Sequence, residues 1–156
     1  MGVGENFVEA FAKACLGAGQ PIPRKGKVLL SLRNSDKARA VELGRSMLQK
    51  GFKLEATAGT AKVLNESNVA CVTVNKVSEG RPNIVDAIKN GEYCYIINTT
   101  EGRRAIIDSV YIRREALLSK VSYSTTLNGA FASINAHATD DRKSVSSVQE
   151  LHKRLS

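Results

Sequence analysis

The stretch Gly51-Phe52-Lys53-Leu54-Glu55-Ala56-Thr57-Ala58-Gly59-Thr60-Ala61 decides the fold. Phe52 to Ala56 is a compact run with apolar residues at alternate positions, which predicts a strand. Thr57-Ala58-Gly59-Thr60 is a small, polar turn, and Ala61 to Glu66 predicts a short helix. A strand that runs through a tight turn straight into a helix is half of a βαβ unit.

The same alternation continues in both directions. Upstream, Val28 to Ser31 reads as a buried strand. The helix after it is capped by Asn34, Ser35 or Asp36, carries Val41, Gly44, Met47 and Leu48 on one face, and stops at Gly51. Downstream, Val69 to Val74 reads as a third strand, Pro82 to Asn90 as a helix ended by Gly91, and Tyr93 to Ile97 as a fourth strand. Arg113 to Ser119 is helical, Val121 to Tyr123 a short fifth strand, Leu127 to Ala138 an alanine-rich helix, and Ser147 to Leu151 and beyond a short amphipathic helix. Strands alternating with helices predict an α/β domain, a mostly parallel sheet covered on both faces. The first segment stands apart. Phe7, Val8, Phe11, Ala12 and Cys15 fall at helical spacing, and the Gly- and Pro-containing run 17–23 reads as a linker. The expected division is residues 1–23 as helix and linker and residues 24–156 as the folded domain.

Composition bounds the function. The 156 residues are 42% apolar, enough for a core in one domain of ordinary size. Three cysteines are an odd number, and Cys71 and Cys94 lie in strand-like runs, so reduced buried thiols are expected. No apolar run reaches the roughly 20 residues of a membrane helix, and Glu5 and Glu9 stand where a signal peptide would be basic. The expectation is a soluble cytoplasmic protein with no membrane contact. Lys and Arg number 23 against 15 acids, a formal charge of +8. A small phosphate ligand, an acidic neighbouring domain or simply a basic surface accounts for that balance. Nucleic acid is not expected: aromatics are 5%, and neither a basic block nor zinc-finger spacing is present.

Parallel sheets bind ligands beyond the carboxyl ends of their strands, so the residues just after each strand are the ones to weigh. After the second strand, Gly59 permits close approach of a ligand to the backbone, and Thr57 and Thr60 offer hydroxyls at a helix N-terminus. A plain turn with Thr60 as helix cap explains the same residues. Lys76 follows the third strand and can reach an anion as a point charge, although a solvated lysine is the simpler account of it alone. Asn98 and Thr100 follow the fourth strand and could read a ribose or a base edge. Lys37, in the first turn of a helix, is unfavourable beside the positive end of the dipole unless an anion is held nearby. One anionic pocket assembled from these loops unifies them.

Known catalytic patterns are missing. His137 and His152 lie late in the chain, and neither Gly-x-Ser-x-Gly, nor a P-loop, nor a metal-ligand cluster occurs. Asp86, read as mid-helix, and Asp108, read as lying in a loop, are expected to be surface or structural acids. Arg103 and Arg104 read as a solvated pair, with phosphate or partner contact as the alternative.

Longer runs carry a resemblance. Gly51-Phe52 to Thr60-Ala61, Val74-Asn75-Lys76-Val77, Glu79-Gly80-Arg81-Pro82, Asn90-Gly91-Glu92-Tyr93 through Ile97-Asn98-Thr99-Thr100, and Gly102-Arg103-Arg104-Ala105-Ile106 resemble the methylglyoxal-synthase-like domain that ends bacterial carbamoyl phosphate synthase large subunits. So do Tyr123 to Gly129 and Ser147-Val148-Gln149-Glu150. Met1-Gly2-Val3-Gly4, with Phe7 and Glu9-Ala10-Phe11, resembles the segment joining that domain to the second synthetase half. The resemblance covers nearly the whole chain.

It implies a five-stranded parallel sheet of order 3-2-1-4-5 and an allosteric role without catalysis in this stretch. The implied effectors are uridine monophosphate (UMP), an inhibitor, and inosine monophosphate (IMP), an activator. Matched by motif, the effector-binding positions are Lys37, Thr57, Thr60, Lys76, Asn98 and Thr100, then Asp108 and Ser109. Ornithine would meet Thr125, although Ser124 stands where the family pattern has Asp. No cofactor is implied for the domain. The parent enzyme is a glutamine-hydrolysing ligase that uses ATP and Mg or Mn to make carbamoyl phosphate for pyrimidine and arginine synthesis. Its partners would be the rest of the large subunit and the glutaminase small subunit.

Two enzymes sharing the fold compete. Methylglyoxal synthase, acting on dihydroxyacetone phosphate, has a catalytic Asp where Arg81 stands and Trp-Asp-Pro where Asn98-Thr99-Thr100 stands. The cyclohydrolase domain of purine synthesis shares the Gly-Thr-Ala element but not the Asn98 and Arg103 motifs. The acetylglutamate-responsive animal branch resembles this chain but has a Trp near Lys76, and this chain has no Trp.

Overall fold

The computed structural model describes residues 2–101, 103–138, 145 and 147–155. Five parallel strands form one sheet: β1 (Lys27–Ser31), β2 (Lys53–Thr57), β3 (Val72–Val74), β4 (Tyr93–Asn98) and β5 (Ser122–Ser124), in the order β3-β2-β1-β4-β5. Among the described residues seven α-helices accompany them: α1 (Phe7–Gly17), α2 (Lys37–Gln49), α3 (Ala58–Glu66), α4 (Ile84–Lys89), α5 (Arg103–Leu118), α6 (Leu127–Asn135) and α7 (Val148–Leu155).

The central strand explains the layering. Val28, Leu29 and Leu30 are consecutive, and all are fully buried, because a central parallel strand is covered on both faces. Successive side chains then divide between the faces. Val28 and Leu30 join Leu43 and Met47 of α2, Leu64 of α3 and Ile134 of α6 in one core. Leu29 joins Ile84 and Ile88 of α4 and Ile112 and Ala116 of α5 in the other, where it pairs across the sheet with Ile96. The doubly wound sheet of order 3-2-1-4-5 is therefore as expected. Segment α1 packs on α6 and on the 3-10 turn Ala136–Ala138, with Ala12 buried, and the Ser122 hydroxyl donates to the Pro21 carbonyl at 2.9 Å.

The differences from expectation are local and have physical causes. Helix α3 begins at Ala58, so Thr57 to Thr60 is its N-cap and first turn and not a loop in front of it. Helix α2 takes no side-chain cap from Asn34, Ser35 or Asp36; a 3-10 turn, Asn34–Asp36, leads into it. Asn83, one residue after Pro82, caps α4, its side chain accepting from Val85 and Asp86 N–H while Asp86 accepts from Asn83 N–H. Asp86 thus lies in the first turn, and the capping box gives it a structural task. Helix α5 starts ten residues before the expected Arg113, at Arg103, so Asp108 lies on a helix and not in a loop. Its apolar residues Ile106, Ile107, Val110 and Tyr111 remain more than half exposed, which blurred the inward stripe that marks a helix in sequence.

Candidate functional site

A cleft of about 360 Å³ opens at the carboxyl ends of the strands. It sits between β1 and β4, where the helices change from one face of the sheet to the other, the place such folds bind ligands. Lys37, Thr57, Lys76, Asn98, Thr100 and Ser109, each singled out in the sequence, line it. The parallel register brings them together: Ser31 pairs with Asn98 and Thr57 with Val74, so the strands end at one level.

Backbone and side-chain links fix the floor. Thr99 N–H donates to the Ser31 carbonyl at 3.0 Å, and Arg33 N–H returns to Thr99 Oγ1 at 3.1 Å. Those reciprocal bonds hold the β1 and β4 exits side by side. The Asn98 amide, buried beneath the cleft, donates to Ser109 Oγ at 2.9 Å and ties β4 to α5. The Glu79 carboxylate accepts from Lys76 N–H at 2.8 Å, which shapes the loop from which Lys76 reaches inward.

Among the described residues, three cations line the cleft: Arg33, Lys37 and Lys76. Arg33 is forked onto Asp36, Nε to Oδ2 at 2.9 Å and Nη2 to Oδ1 at 3.2 Å. These bonds raise the guanidinium's pKa further above its usual value. Among the described residues, neither Lys37 nor Lys76 has an ion pair. Lys37 Nζ instead donates to Asn34 Oδ1 at 2.7 Å and lies against Gly59 in the first turn of α3. The amides of that turn have no capping acceptor from Thr57. An ammonium, itself at the start of α2, thus sits over the positive end of a second helix, a placement that favours an anion between them.

Of the remaining expected residues, Thr60 and Thr125 fall outside the lining. Thr60 is wholly buried, and its Oγ1 accepts from Leu32 N–H at 3.3 Å and from the Thr57 hydroxyl at 3.5 Å. It braces β1 against α3 from behind the cleft. Thr125 is exposed beyond β5 and does not reach the cleft. Asp108 is on α5, but its side chain, like those of Arg103 and Arg104, lies outside the described residues, as does Gly102. Arg81 is exposed and pairs with Asp86 at 3.8 Å.

The structure adds residues that sequence reasoning missed. Ser31, Arg33, Asn34, Thr99 and Glu101 contribute polar groups, and Leu32, Val77, Ile84 and Ile112 an apolar wall. Arg33 and Asn34 follow β1, and the rule that selected the other loops pointed to them as well. Glu101 is, among the described residues, the one acid in the lining, on the exposed rim.

Among the described residues no group of three or more His, Cys, Asp and Glu side chains could hold a metal ion, and no helix is long and apolar enough to cross a membrane. The three cysteines form no disulfide. Burial pushes the Cys71 thiol up to about 12 and also raises that of Cys94.

The carbamoyl phosphate synthase large chain of Vibrio vulnificus is 54% identical over 155 residues, 99% of this chain and 14% of that protein. Those of Xanthomonas axonopodis pv. citri and Buchnera aphidicola are 50% and 47% identical over the same shares. The chain therefore spans 14% of the length of these relatives. The family model described as the MGS-like domain matches residues 39–125, from within α2 to just past β5, and the chain belongs to the MGS-like domain family.

Proposed function

We propose that this chain is a regulatory domain of a carbamoyl phosphate synthase large chain and binds nucleoside monophosphates in the β1–β4 cleft. One observation carries the reading: Lys37 and Lys76 are both unpaired among the described residues and converge with the α3 N-terminus on one cleft. Two cations beside a positive helix end repel one another until an anion is shared between them. A phosphate suits that place. Asn98, Thr100 and Ser109 supply donors and acceptors for a ribose, and Val77, Ile84 and Ile112 an apolar wall for a base. UMP as inhibitor and IMP as activator are the proposed effectors. Ornithine at Thr125 would act at a separate place. The domain itself catalyses nothing in this reading. Carbamoyl phosphate synthesis, with its ATP, metal and glutaminase partner, belongs to parts of a longer protein.

Calorimetric titration with UMP, IMP and inorganic phosphate tests it. The expected result is saturable binding of the nucleotides, weaker at higher salt because the contact is partly ionic. No binding of either nucleotide would sink the proposal.

Glu101 favours a second reading, a lyase acting on dihydroxyacetone phosphate, because a rim carboxylate in a phosphate-binding cleft is a candidate base. A colorimetric methylglyoxal assay separates the two. Product that scales with protein concentration and falls about 10²–10⁴-fold in Glu101→Gln would establish the lyase.

A further inference from the structure

We infer that Asn34 is a positioning residue, and that the 3-10 turn Asn34–Asp36 sorts the cleft's cations so that the charge of Lys37 is left for the ligand. The inference rests on the anion-binding reading above and assigns a task within that site.

The turn offers two side-chain oxygen acceptors to two neighbouring cations. The Asp36 carboxylate is taken by Arg33 through two hydrogen bonds of 2.9 and 3.2 Å. The neutral Asn34 carbonyl oxygen goes to Lys37 Nζ at 2.7 Å. The charged acceptor thus neutralises the arginine, and the uncharged one holds the lysine without neutralising it. Had the partners been exchanged, the ammonium would be paired with a carboxylate before any ligand arrived, and a bound anion would meet the Asp36 charge.

Holding Lys37 is a physical necessity. Its side chain is flexible, and the positive ends of α2 and α3 both push an ammonium towards solvent. Against that, Asn34 draws the head group back over Gly59, where a methyl carbon would come within 2.7 Å of Nζ. Asn34 and Lys37 both line the cleft. A neutral carbonyl is the acceptor that fixes a cation's place and leaves its field undiminished.

The test is a double-mutant cycle on the 156-residue chain, with Asn34→Ala and Asn34→Asp each made alone and with Lys37→Ala, and with UMP and inorganic phosphate as titrants. Asn34 is exposed, so the variants should fold, and far-ultraviolet circular dichroism checks that. Asn34→Ala is expected to weaken binding of both probes about 3- to 10-fold, the scale of one hydrogen bond to a charged group. Asn34→Asp keeps an acceptor but adds a negative charge, so it should weaken binding more than alanine does. The alanine effect should vanish in the Lys37→Ala background, whereas Asn34→Asp keeps there the direct repulsion between its carboxylate and the anion. A loss in Asn34→Ala that persists without Lys37 would mean that Asn34 touches the ligand directly, and tight binding by Asn34→Asp would refute the sorting; either overturns the proposal.

Ligand-free labelling keeps this inference distinct from the functional reading. Acetylation of Lys37 by acetic anhydride, followed by mass spectrometry, should be about 2- to 5-fold faster in Asn34→Ala, because the hydrogen bond that holds the ammonium is gone. An unchanged rate would overturn the role of Asn34 even if the nucleotides bind. A wild-type chain that binds neither titrant, together with faster labelling in Asn34→Ala, would sink the functional reading and leave the placement standing.

Discussion

A Cβ atom on Gly59 would lie 2.7 Å from Lys37 Nζ, so the missing side chain of one residue sets where the cation of the other stands. The obstacle is the far end of a flexible lysine, and Gly59 lies inside α3 without a positive φ. Gly59→Ala should therefore fold, with thermal stability unchanged or higher by up to about 1 kcal/mol from helix propensity. Nucleotide affinity should fall by about 1 kcal/mol or more as the ammonium is displaced. Unchanged affinity in a calorimetric titration would show that the position of Lys37 does not matter to the ligand.

Thr60 and Lys76 should separate stability from affinity. Thr60→Ala leaves the buried Leu32 N–H without its acceptor and should cost about 1–3 kcal/mol in urea unfolding. Lys76 is exposed at the cleft edge, so Lys76→Ala should leave stability within about 0.5 kcal/mol and weaken nucleotide binding by about 1.5–3 kcal/mol. A Thr60→Ala chain as stable as wild type would contradict the bracing role. Equal affinities in Lys76→Ala and wild type would remove Lys76 from the site.

The opposite end of the sheet should govern stability at alkaline pH. Tyr93 Oη donates to Glu55 Oε2 at 2.7 Å, and Lys27 Nζ bridges Glu55 and Glu92 at 2.8 and 3.0 Å. Burial first, then the Glu55 bond, raises the Tyr93 pKa above its ordinary 10.0, and the bonds to Glu55 and Glu92 raise that of Lys27 above 10.5. The unfolded chain then releases these protons before the folded one does. Their stabilisation is complete below about pH 10 and is lost as pH rises further. Glu92, lowered from 4.5 chiefly by its bond to Lys27, contributes in the other direction and loses its share as pH falls below that value. Tyr93→Phe should flatten the alkaline decline by up to about 1.4 kcal/mol per pH unit, the slope of one linked proton. Urea midpoints measured from pH 8 to 11 check it, and parallel curves for variant and wild type would refute it.

Limited proteolysis should cut first between Gly17 and Gln20. That stretch is exposed, follows the end of α1, and precedes the points at which Pro21 and Arg24 carbonyls are held by Ser122 and His137. Mass spectrometry of the first fragments reads the site. A first cut within the sheet-and-helix body would place the weakest segment elsewhere.

The sequence by itself determined the alternation of strands and helices, because period-2 and period-3.6 burial are local patterns. Val28 to Leu30 and the Gly51 and Gly91 stops are legible without any partner. The cleft was legible through one rule, that ligands sit beyond strand ends, and six of the residues it and the family resemblance selected do line one cavity. Only the tertiary structure decided which hydroxyls face inward. Thr57 and Thr60 are three apart on one short element, yet Thr57 lines the cleft and Thr60 turns behind it to serve Leu32. The start of α5 was hidden because its outer face stays apolar, and so was the pairing of Asn34 with Lys37 and of Arg33 with Asp36. Four polar residues within one turn permit several pairings of similar energy. Lys37 meets α3, which belongs to a different strand–helix unit, only once β1 and β2 are side by side.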